Sequence, residues 1–291
     1  RAAGGGGAYG ERSVSALASG GTRAWSGLVA GRYYRTEGDF RYRNQFLVPT
    51  QTLRRTGAGA RMTTLYGRST WRGEAQRWSV SGWWTQAQRG LPGPASARGG
   101  GAQQWDRMGR VWTKGTLSTG AGTLTLSAQG QRSRLRYRNP PTRTDRTTIT
   151  TATDAEAQLR YPLPNLGSIT AGTSLGYDHA SLQDGVDRLS GATFVDATLS
   201  LPPLQLQPAV RLDAIGLNGQ PALVPSPRLG VRLRPFDGTG LALRGLVGRA
   251  FRYPTFNERY YDPGGTPGLR PEDGWTVEGG LSFRRASPTT L

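Results

Sequence analysis

Between Pro225 and Phe283 the chain alternates in polarity residue by residue, and this period of two most constrains its fold. Leu229, Val231 and Leu233 stand against Arg228, Gly230, Arg232 and Arg234. A Pro235-Phe236-Asp237-Gly238 turn follows, and then Leu241, Leu243 and Val247 stand against Ala242, Arg244, Gly248 and Arg252. A strand sends successive side chains to opposite faces, so each segment presents one apolar face and one polar or glycine face.

The same pattern extends over most of the chain. It predicts about thirteen strands, at 11–19, 23–35, 58–70, 77–88, 107–117, 122–132, 148–160, 168–178, 188–201, 204–216, 227–234, 240–252 and 275–284. Most are near the ~9–11 residues that a tilted strand needs to cross a bilayer. The cleanest alternations set Leu124, Leu126 and Ala128 against Thr123, Thr125, Ser127 and Gln129, and Ala155, Ala157, Leu159 and Tyr161 against Asp154, Glu156, Gln158 and Arg160. Charges on every second residue demand a wet face. Pro208 counts against a regular strand at 204–216, because proline removes a ladder donor.

The connections sharpen the reading. Short links (Gly20-Gly21, 71–76, 118–121, PLPNLG, Pro202-Pro203, PFDGT) alternate with longer ones (36–57, 89–106, 133–147, HASLQDGVD, LNGQPALVPS, 253–274). An up-and-down membrane barrel has tight turns on one side and long loops on the other. A soluble sandwich has no reason to keep that rhythm. The fold class expected is therefore all-β, an antiparallel up-and-down transmembrane β-barrel. A mean hydropathy of -0.52 does not oppose this, since such strands are apolar only on every second residue. No run of about 18 apolar residues exists to form a membrane helix.

Several chemistries are excluded or displaced. There is no cysteine, hence no disulfide or thiolate metal site, and His179 is the only histidine. It sits at a segment boundary in YDHASLQDG, where a solvated or satisfied histidine outweighs a catalytic one. Asp178, Asp184 and Asp187 could offer oxygen ligands to calcium but lack a rigid ligand spacing. The runs Gly4–Gly7 and 99–101 lack the Lys-Ser/Thr and strand–helix context of a phosphate cradle, and read as flexible loop. A net charge of +18 raises nucleic-acid binding. The arginines are, however, dispersed through strands and loops, which suits the polar side of a barrel wall. No enzyme, cofactor, metal or nucleic-acid partner is expected.

The late segment also carries a resemblance. RAFRYPTFNERYY, then GLRPE, then WTVEGGLSF, preceded by SPRLGVRL, is similar to the late-barrel region of TonB-dependent outer-membrane receptors. Gly268 departs from the pattern, standing where the family often has Asn. The likeness implies a 22-stranded barrel filled by an N-terminal plug, in the outer membrane. It implies active capture and import of a bulky, scarce nutrient such as cobalamin or a ferric siderophore, energised by the TonB complex through the plug. YYRTEGDFRYRN at 33–44 is similar to the first long loop of cobalamin-type receptors and leans the ligand that way. Residues 1–291 then read as one barrel domain, a piece of a longer monomeric protein without its plug and cut at both ends. A passive porin or a surface adhesin is the alternative; a porin would share the strands but not the FRYPTFNE…LRPE block.

The resemblance places the motif on Arg252, Pro254, Thr255, Asn257, Glu258, Pro271 and Glu272. An arginine among carboxylates can pin a loop through charge-assisted hydrogen bonds, and pinning is preferred to ligand contact for these residues. Trp105, Tyr253, Phe256, Tyr260 and Tyr261 are candidates for stacking on a bulky metal chelate, with a membrane-interface role as the alternative. Three structural expectations follow. Strands should form one meander between sequence neighbours. Leu124, Leu126, Leu159, Leu175, Leu199, Leu229, Val231, Leu241 and Leu243 should face lipid, and Asp154, Glu156, Asp196, Arg211, Arg232 and Arg244 the lumen. The long links 36–57, 89–106 and 253–274 should emerge on one side as the ligand-capturing surface.

Overall fold

The computed structural model describes residues 1–46, 48–93, 101–182, 185–217, 220–236, 240–261 and 264–283. Among them are sixteen strands: β1 (Ala2–Gly7), β2 (Glu11–Gly21), β3 (Trp25–Thr36), β4 (Phe40–Asn44), β5 (Gln51–Arg55), β6 (Ala60–Arg72), β7 (Gln76–Leu91), β8 (Ala102–Thr119), β9 (Gly122–Asn139), β10 (Thr144–Leu163), β11 (Gly167–Ala180), β12 (Val186–Leu201), β13 (Leu204–Leu217), β14 (Gln220–Leu233), β15 (Leu241–Arg252) and β16 (Glu272–Phe283). One short helix, α1 (Phe256–Tyr260), lies between the last two.

Fourteen strands form a single sheet in sequence order, with β3 followed directly by β6; β4 and β5 form a separate two-stranded sheet. The meander is thus as expected, except that the link after β3 folds a hairpin of its own, Phe40↔Arg55 to Asn44↔Gln51. Two compact units divide the chain: Arg1–Gly115, Ala128–Thr153 and His179–Ser181 in the first, and Thr116–Ser127, Asp154–Asp178 and Leu182–Leu291 in the second.

Several sequence expectations are corrected. The Gly4–Gly7 run is not a flexible loop: it lies in β1, paired with β2 from Gly4↔Val14 to Gly7↔Glu11. Of the second glycine run only Gly101 falls within the described residues. The 133–147 link is not long. β9 and β10 continue through it and leave only a turn, Pro140–Thr142, closed by Arg143 N–H donating to the Pro140 carbonyl at 3.0 Å. Nor is LNGQPALVPS a long link, since β13 and β14 stay in register as far as Leu217↔Gln220. Pro208 is accommodated in β13 opposite Leu229. Pro225 and Pro227 precede the β14–β15 pairing, which starts at Arg228↔Gly248. A residue without an N–H is tolerated where a strand has one paired side only. His179 lies inside β11 rather than in a loop.

Register assigns the faces. In the second unit Leu204↔Leu233, Leu206↔Val231 and Pro208↔Leu229 run from β13 to β14. Leu233↔Leu243 and Leu229↔Val247 carry the row into β15, and Leu243↔Leu281 and Val247↔Val277 into β16. Leu199↔Leu206 and Val195↔Val210 extend it to β12, and Leu175 lies against Gly191 on the same side. These apolar side chains are largely exposed: Leu175 by 66%, Val277 by 79% and Leu281 by 66%. Such a broad exposed apolar surface needs a non-aqueous partner, and lipid supplies it for a barrel wall. The other face carries Phe194↔Arg211 and Asp196↔Ala209, Arg232↔Arg244, and Leu246↔Glu278 and Arg252↔Glu272. Leu199, Leu229, Val231, Leu241 and Leu243 therefore share one face, and Asp196, Arg211, Arg232 and Arg244 the opposite one, as the alternation predicts.

The first unit repeats the division. Val29↔Gly67 and Trp25↔Trp71 pair β3 with β6, and Leu65↔Trp84 and Trp71↔Trp78 pair β6 with β7. A tryptophan row thus crosses three strands at the tight-turn end of the apolar face. There Thr22 N–H donates to the Trp25 carbonyl at 2.6 Å, and Gly73 N–H to the Gln76 carbonyl at 2.8 Å. Aromatic side chains of this kind settle at membrane–water interfaces. At the opposite end the two long links of this unit leave after β3 and β7.

Candidate functional site: a pinned loop on the charged face

The densest polar geometry in the second unit surrounds the 253–271 link. Arg252 is the last residue of β15, and fully buried Pro254 ends the strand. Thr255 then caps α1 in a reciprocal box. Its backbone N–H donates to Glu258 Oε2 at 2.7 Å, and Glu258 N–H donates to Thr255 Oγ1 at 3.3 Å. This satisfies two of the donors a helix start leaves unpaired.

Glu258 is thereby aimed back at Arg252. The guanidinium donates through Nη1 to Glu258 Oε2 at 3.1 Å and through Nη2 to Oε1 at 3.0 Å. It also donates through Nε to Glu272 Oε2 at 3.2 Å and through Nη2 to Oε1 at 2.7 Å. One arginine makes two forked contacts, to α1 and to the first residue of β16. Only a planar guanidinium has the donors for this. The Arg252 hydrogen bonds, with the Thr255 backbone N–H second, hold the Glu258 carboxyl down at about 2, against an ordinary 4.5.

Arg259 ties the far side of the loop. Its Nε donates to the Pro267 carbonyl at 2.7 Å, with Nη2 on the same oxygen, and Nη1 donates to Tyr253 Oη at 2.9 Å. Thr266 N–H donates to the Glu258 carbonyl at 2.9 Å, and Gly265 N–H to the Tyr261 carbonyl at 2.6 Å. Gly265 is required by space: a Cβ there would sit 2.7 Å from both the Arg259 carbonyl oxygen and the Tyr261 nitrogen.

The loop also packs back on the β11–β12 hairpin. Buried Tyr260 and Val186 form a small core with Leu182, Tyr253 and Phe256. Arg188, on the charged face of β12, donates through Nε and Nη2 to Asp178 Oδ2 at 2.9 and 2.7 Å. Its Nη1 reaches the Pro254 carbonyl at 3.4 Å. The guanidinium carbon lies 5.0 Å from the Phe256 ring centre and 5.9 Å from that of Tyr253.

The structure brings together Arg252, Pro254, Thr255, Glu258 and Glu272, and separately Tyr253, Phe256 and Tyr260. Asn257 contributes its carbonyl, which accepts from Tyr261 N–H at 3.1 Å. Pro271 is exposed just before Glu272, and Tyr261 is exposed. Trp105 belongs to the first unit, with the Arg136 guanidinium 5.6 Å from its ring centre. Arg188, Asp178, Arg259 and Gly265 were not singled out from sequence for this role; Arg188 and Asp178 lie over sixty residues from the loop, and only the register joins them. Asp178 is engaged by Arg188, and Asp187 accepts from Tyr177 Oη at 2.6 Å. Asp184 lies outside the described residues. No group of three or more metal-ligating side chains occurs among the described residues.

An antiparallel meander with one exposed apolar face, one charged face, an aromatic row and loops tied to the charged side defines the wall of an outer-membrane barrel. Residues 4–290 match the family described as TonB dependent receptor-like, beta-barrel, and the chain belongs to it. Barrels of this family are outer-membrane proteins, and its members are transporters rather than enzymes. No curated protein sequence matches. Among solved structures, the siderophore receptor PirA of Pseudomonas aeruginosa superposes with a TM-score of 0.72 at 18% identity, covering 95% of this chain and 50% of that one. The ferric enterobactin receptor PfeA of the same organism, in complex with enterobactin, gives 0.70 at 14%, covering 94% and 49%. The Serratia marcescens hemophore receptor HasR, with its hemophore HasA and heme, gives 0.70 at 17%, covering 96% and 50%. At these identities the likeness shows the fold. The chain spans about half the length of these receptors.

Proposed function

We propose that this chain is the greater part of the barrel of an active importer that captures a bulky metal chelate, of the ferric-siderophore or heme class, at its long-link end. The carrying observation is the 253–271 loop. It is fixed to the charged face by Arg252 and Arg188 and tied within itself by Arg259, and so holds arginine and aromatic groups in place where a ligand would enter. Rigid aromatic faces and guanidinium forks suit a large, partly anionic chelate. The solved relatives named for siderophore and heme favour those ligands over the cobalamin suggested by the 33–44 likeness. Import would be energised by a TonB-type partner acting through a plug, with the receptor a monomer. In this reading the motif residues pin the loop, and Tyr253 and Tyr261 are candidate contacts.

The experiment is uptake of radioiron-labelled enterobactin, heme and radiolabelled cobalamin by cells carrying the full-length receptor, with and without the proton-motive force. Saturable, energy-dependent uptake of an iron ligand supports the proposal. Uptake of cobalamin alone would reassign the ligand, and unsaturable entry of small solutes without energy would replace the importer with a porin.

A further inference from the structure

We infer that the first unit carries, midway along the charged face of its wall, an inner binding station for the chelate: a platform of aromatic rings and guanidinium groups that takes planar aromatic anions of the catecholate kind. Leu65↔Trp84 belongs to the apolar face, so the adjacent pair Tyr66↔Trp83 projects to the other one. A Cβ at Gly109 would lie 3.9 Å from Trp84 Cδ1, which puts Gly109 on the apolar side and Arg110 and Trp112 on the charged side. There the Tyr66 and Trp112 rings lean together across β7, with centres 6.1 Å apart and planes 31° from parallel. Ser81 of that intervening strand, opposite Arg68, is buried with only 3% exposure. The Arg110 guanidinium carbon lies 5.6 Å from the Trp112 ring centre, and its Nη2 donates to Gln129 Oε1 on β9.

Depth sets these rings apart from the aromatic row of the apolar face. Tyr66 lies five positions along β6 from Trp71 of the tight-turn row. That is roughly 17 Å along the strand at about 3.3 Å per residue. At a strand tilt of about 35–45° it becomes roughly 13 Å of height, half of a barrel's apolar band. Tyrosine and tryptophan settle at membrane interfaces on a barrel's outside. Lipid gives no reason for Tyr66, Trp83 and Trp112 to gather at mid-depth on the wet side.

Charge identifies the occupant. Asp106 is the only carboxylate in β3 and β6–β9, and it is held by Arg89 at 2.6 Å and by Gln104 at 2.9 Å. Asp154 and Glu156, on β10, belong to the second unit. Arg68 has no acidic partner among the described residues. Gln129 takes one of the five donors that a guanidinium offers. The cations call for an anion, and the rings call for a flat one. A catecholate joins both properties: its ring stacks on tryptophan and tyrosine, and its charged oxygens accept charge-assisted hydrogen bonds from arginine. A neutral aliphatic chelate offers neither. The choice of a chelate as ligand rests on the proposed import; binding at the platform does not itself require transport.

The test uses the full-length receptor carrying 5-fluorotryptophan and reads the fluorine resonances of Trp83 and Trp112, identified through Trp83→Phe and Trp112→Phe. Ferric enterobactin is the probe, because its paramagnetic iron broadens nearby nuclei, and the gallium complex is the diamagnetic control. Ferrichrome, a neutral iron trihydroxamate, is the comparison. Ferric enterobactin should broaden Trp83 and Trp112 more than Trp25 and Trp71, and at a concentration about fivefold lower than ferrichrome needs. Arg68→Gln with Arg110→Gln should raise the concentration needed by about fivefold or more, whereas Arg61→Gln, on the face of Leu65, should not. Heat-shifted electrophoretic mobility reports whether each variant has folded. Should the glutamine pair not fold, Arg110→Lys keeps the charge without the fork and should still bind more weakly than the wild type. Failure of ferric enterobactin to broaden the two resonances, equal broadening by ferrichrome, or folded variants with undiminished response would overturn the platform. Resonances shielded from a soluble nitroxide and silent to the chelate would make part of the receptor itself the occupant, and overturn it too. Broadening in a receptor that imports nothing would leave the platform standing and defeat only the transport proposal. Energy-dependent uptake with both resonances unbroadened would do the reverse.

Discussion

Arg252 shows what one residue position can fix. It lies at the end of a strand, directly opposite Glu272, and it reaches a carboxylate six residues further on through a helix cap. Lysine in its place would keep the charge but could not make both forks, so Arg252→Lys should loosen the loop nearly as much as Arg252→Ala. The pH dependence has a definite sign. Glu258 titrates at about 2, below the ordinary 4.5, so its contribution to loop order is complete above about pH 4.5 and lost as the pH falls towards 2. Hydrogen exchange of the α1 amides, corrected for intrinsic rates, should stay protected at pH 6 and accelerate between pH 4 and 2.5; an unchanged protection factor would separate Glu258 from loop order. Two glycines give a sharper contrast. Gly265→Ala must displace backbone atoms 2.7 Å away, whereas a Cβ at Gly268 meets nothing within 4 Å. Gly265→Ala should therefore open the loop to protease, and Gly268→Asn, the family's common residue, should leave its cleavage rate unchanged. The motif residues were legible because they cluster in sequence. Arg188 was not, because a single arginine in an alternating strand looks like any other.

Strands and links were legible to different degrees, for a physical reason. Where one face meets lipid, every second residue is apolar, and the segments around 124–129, 229–233 and 241–247 declare themselves. Beyond the bilayer neither face is apolar, so the ends of β9 and β10 carry no such signal and resemble a loop. There Arg136 Nε and Nη2 donate to Asp145 at 2.9 and 2.6 Å, and the Ser133 and Thr150 hydroxyls are 2.6 Å apart. The glycines of β1 failed for the opposite reason: with no side chains there is no pattern to read, yet the backbone still pairs. Link boundaries matter for testing ligand capture. Excising 89–106 would cut paired strand, since Arg89↔Ala60 belongs to the β6–β7 ladder and Arg89 pairs with Asp106 at 2.6 Å. The β4–β5 hairpin is separate from the large sheet and meets the turn between β1 and β2, where the Tyr9 and Phe40 ring centres lie 5.9 Å apart. Removing residues 40–55 from the full-length receptor should leave the heat-modifiable barrel intact and weaken uptake of the iron chelate. Loss of the folded band would instead make the hairpin part of the wall, and undiminished uptake would remove it from the capture surface.

At the scale of the whole molecule, the division into two faces was the most legible feature, because the lipid requires it of every crossing strand. In the second unit the register carries a single apolar row through five consecutive strands and a charged row behind it. Adjacent residues in one strand should therefore respond oppositely to the same substitution. Val247 lies near the middle of β15, between Leu229 and Val277 on the apolar face. Its neighbour Leu246 projects to the other side, between Gly230 and Glu278. An arginine at a barrel's lipid face near mid-bilayer costs roughly 2–4 kcal/mol, because its charge leaves water without a partner. Val247→Arg should accordingly lower stability in lipid by about that amount, read as a shift in the denaturant midpoint of the folded, heat-modifiable band. Leu246→Arg places the same charge on the wet face, directly opposite a glutamate. It should change the midpoint little or raise it, because opposite charges paired across strands attract. Equal destabilisation by both would mean that neither face is distinguished by lipid, and the assignment of faces would fall. A penalty for Leu246→Arg alone would invert it, placing the charged row outward.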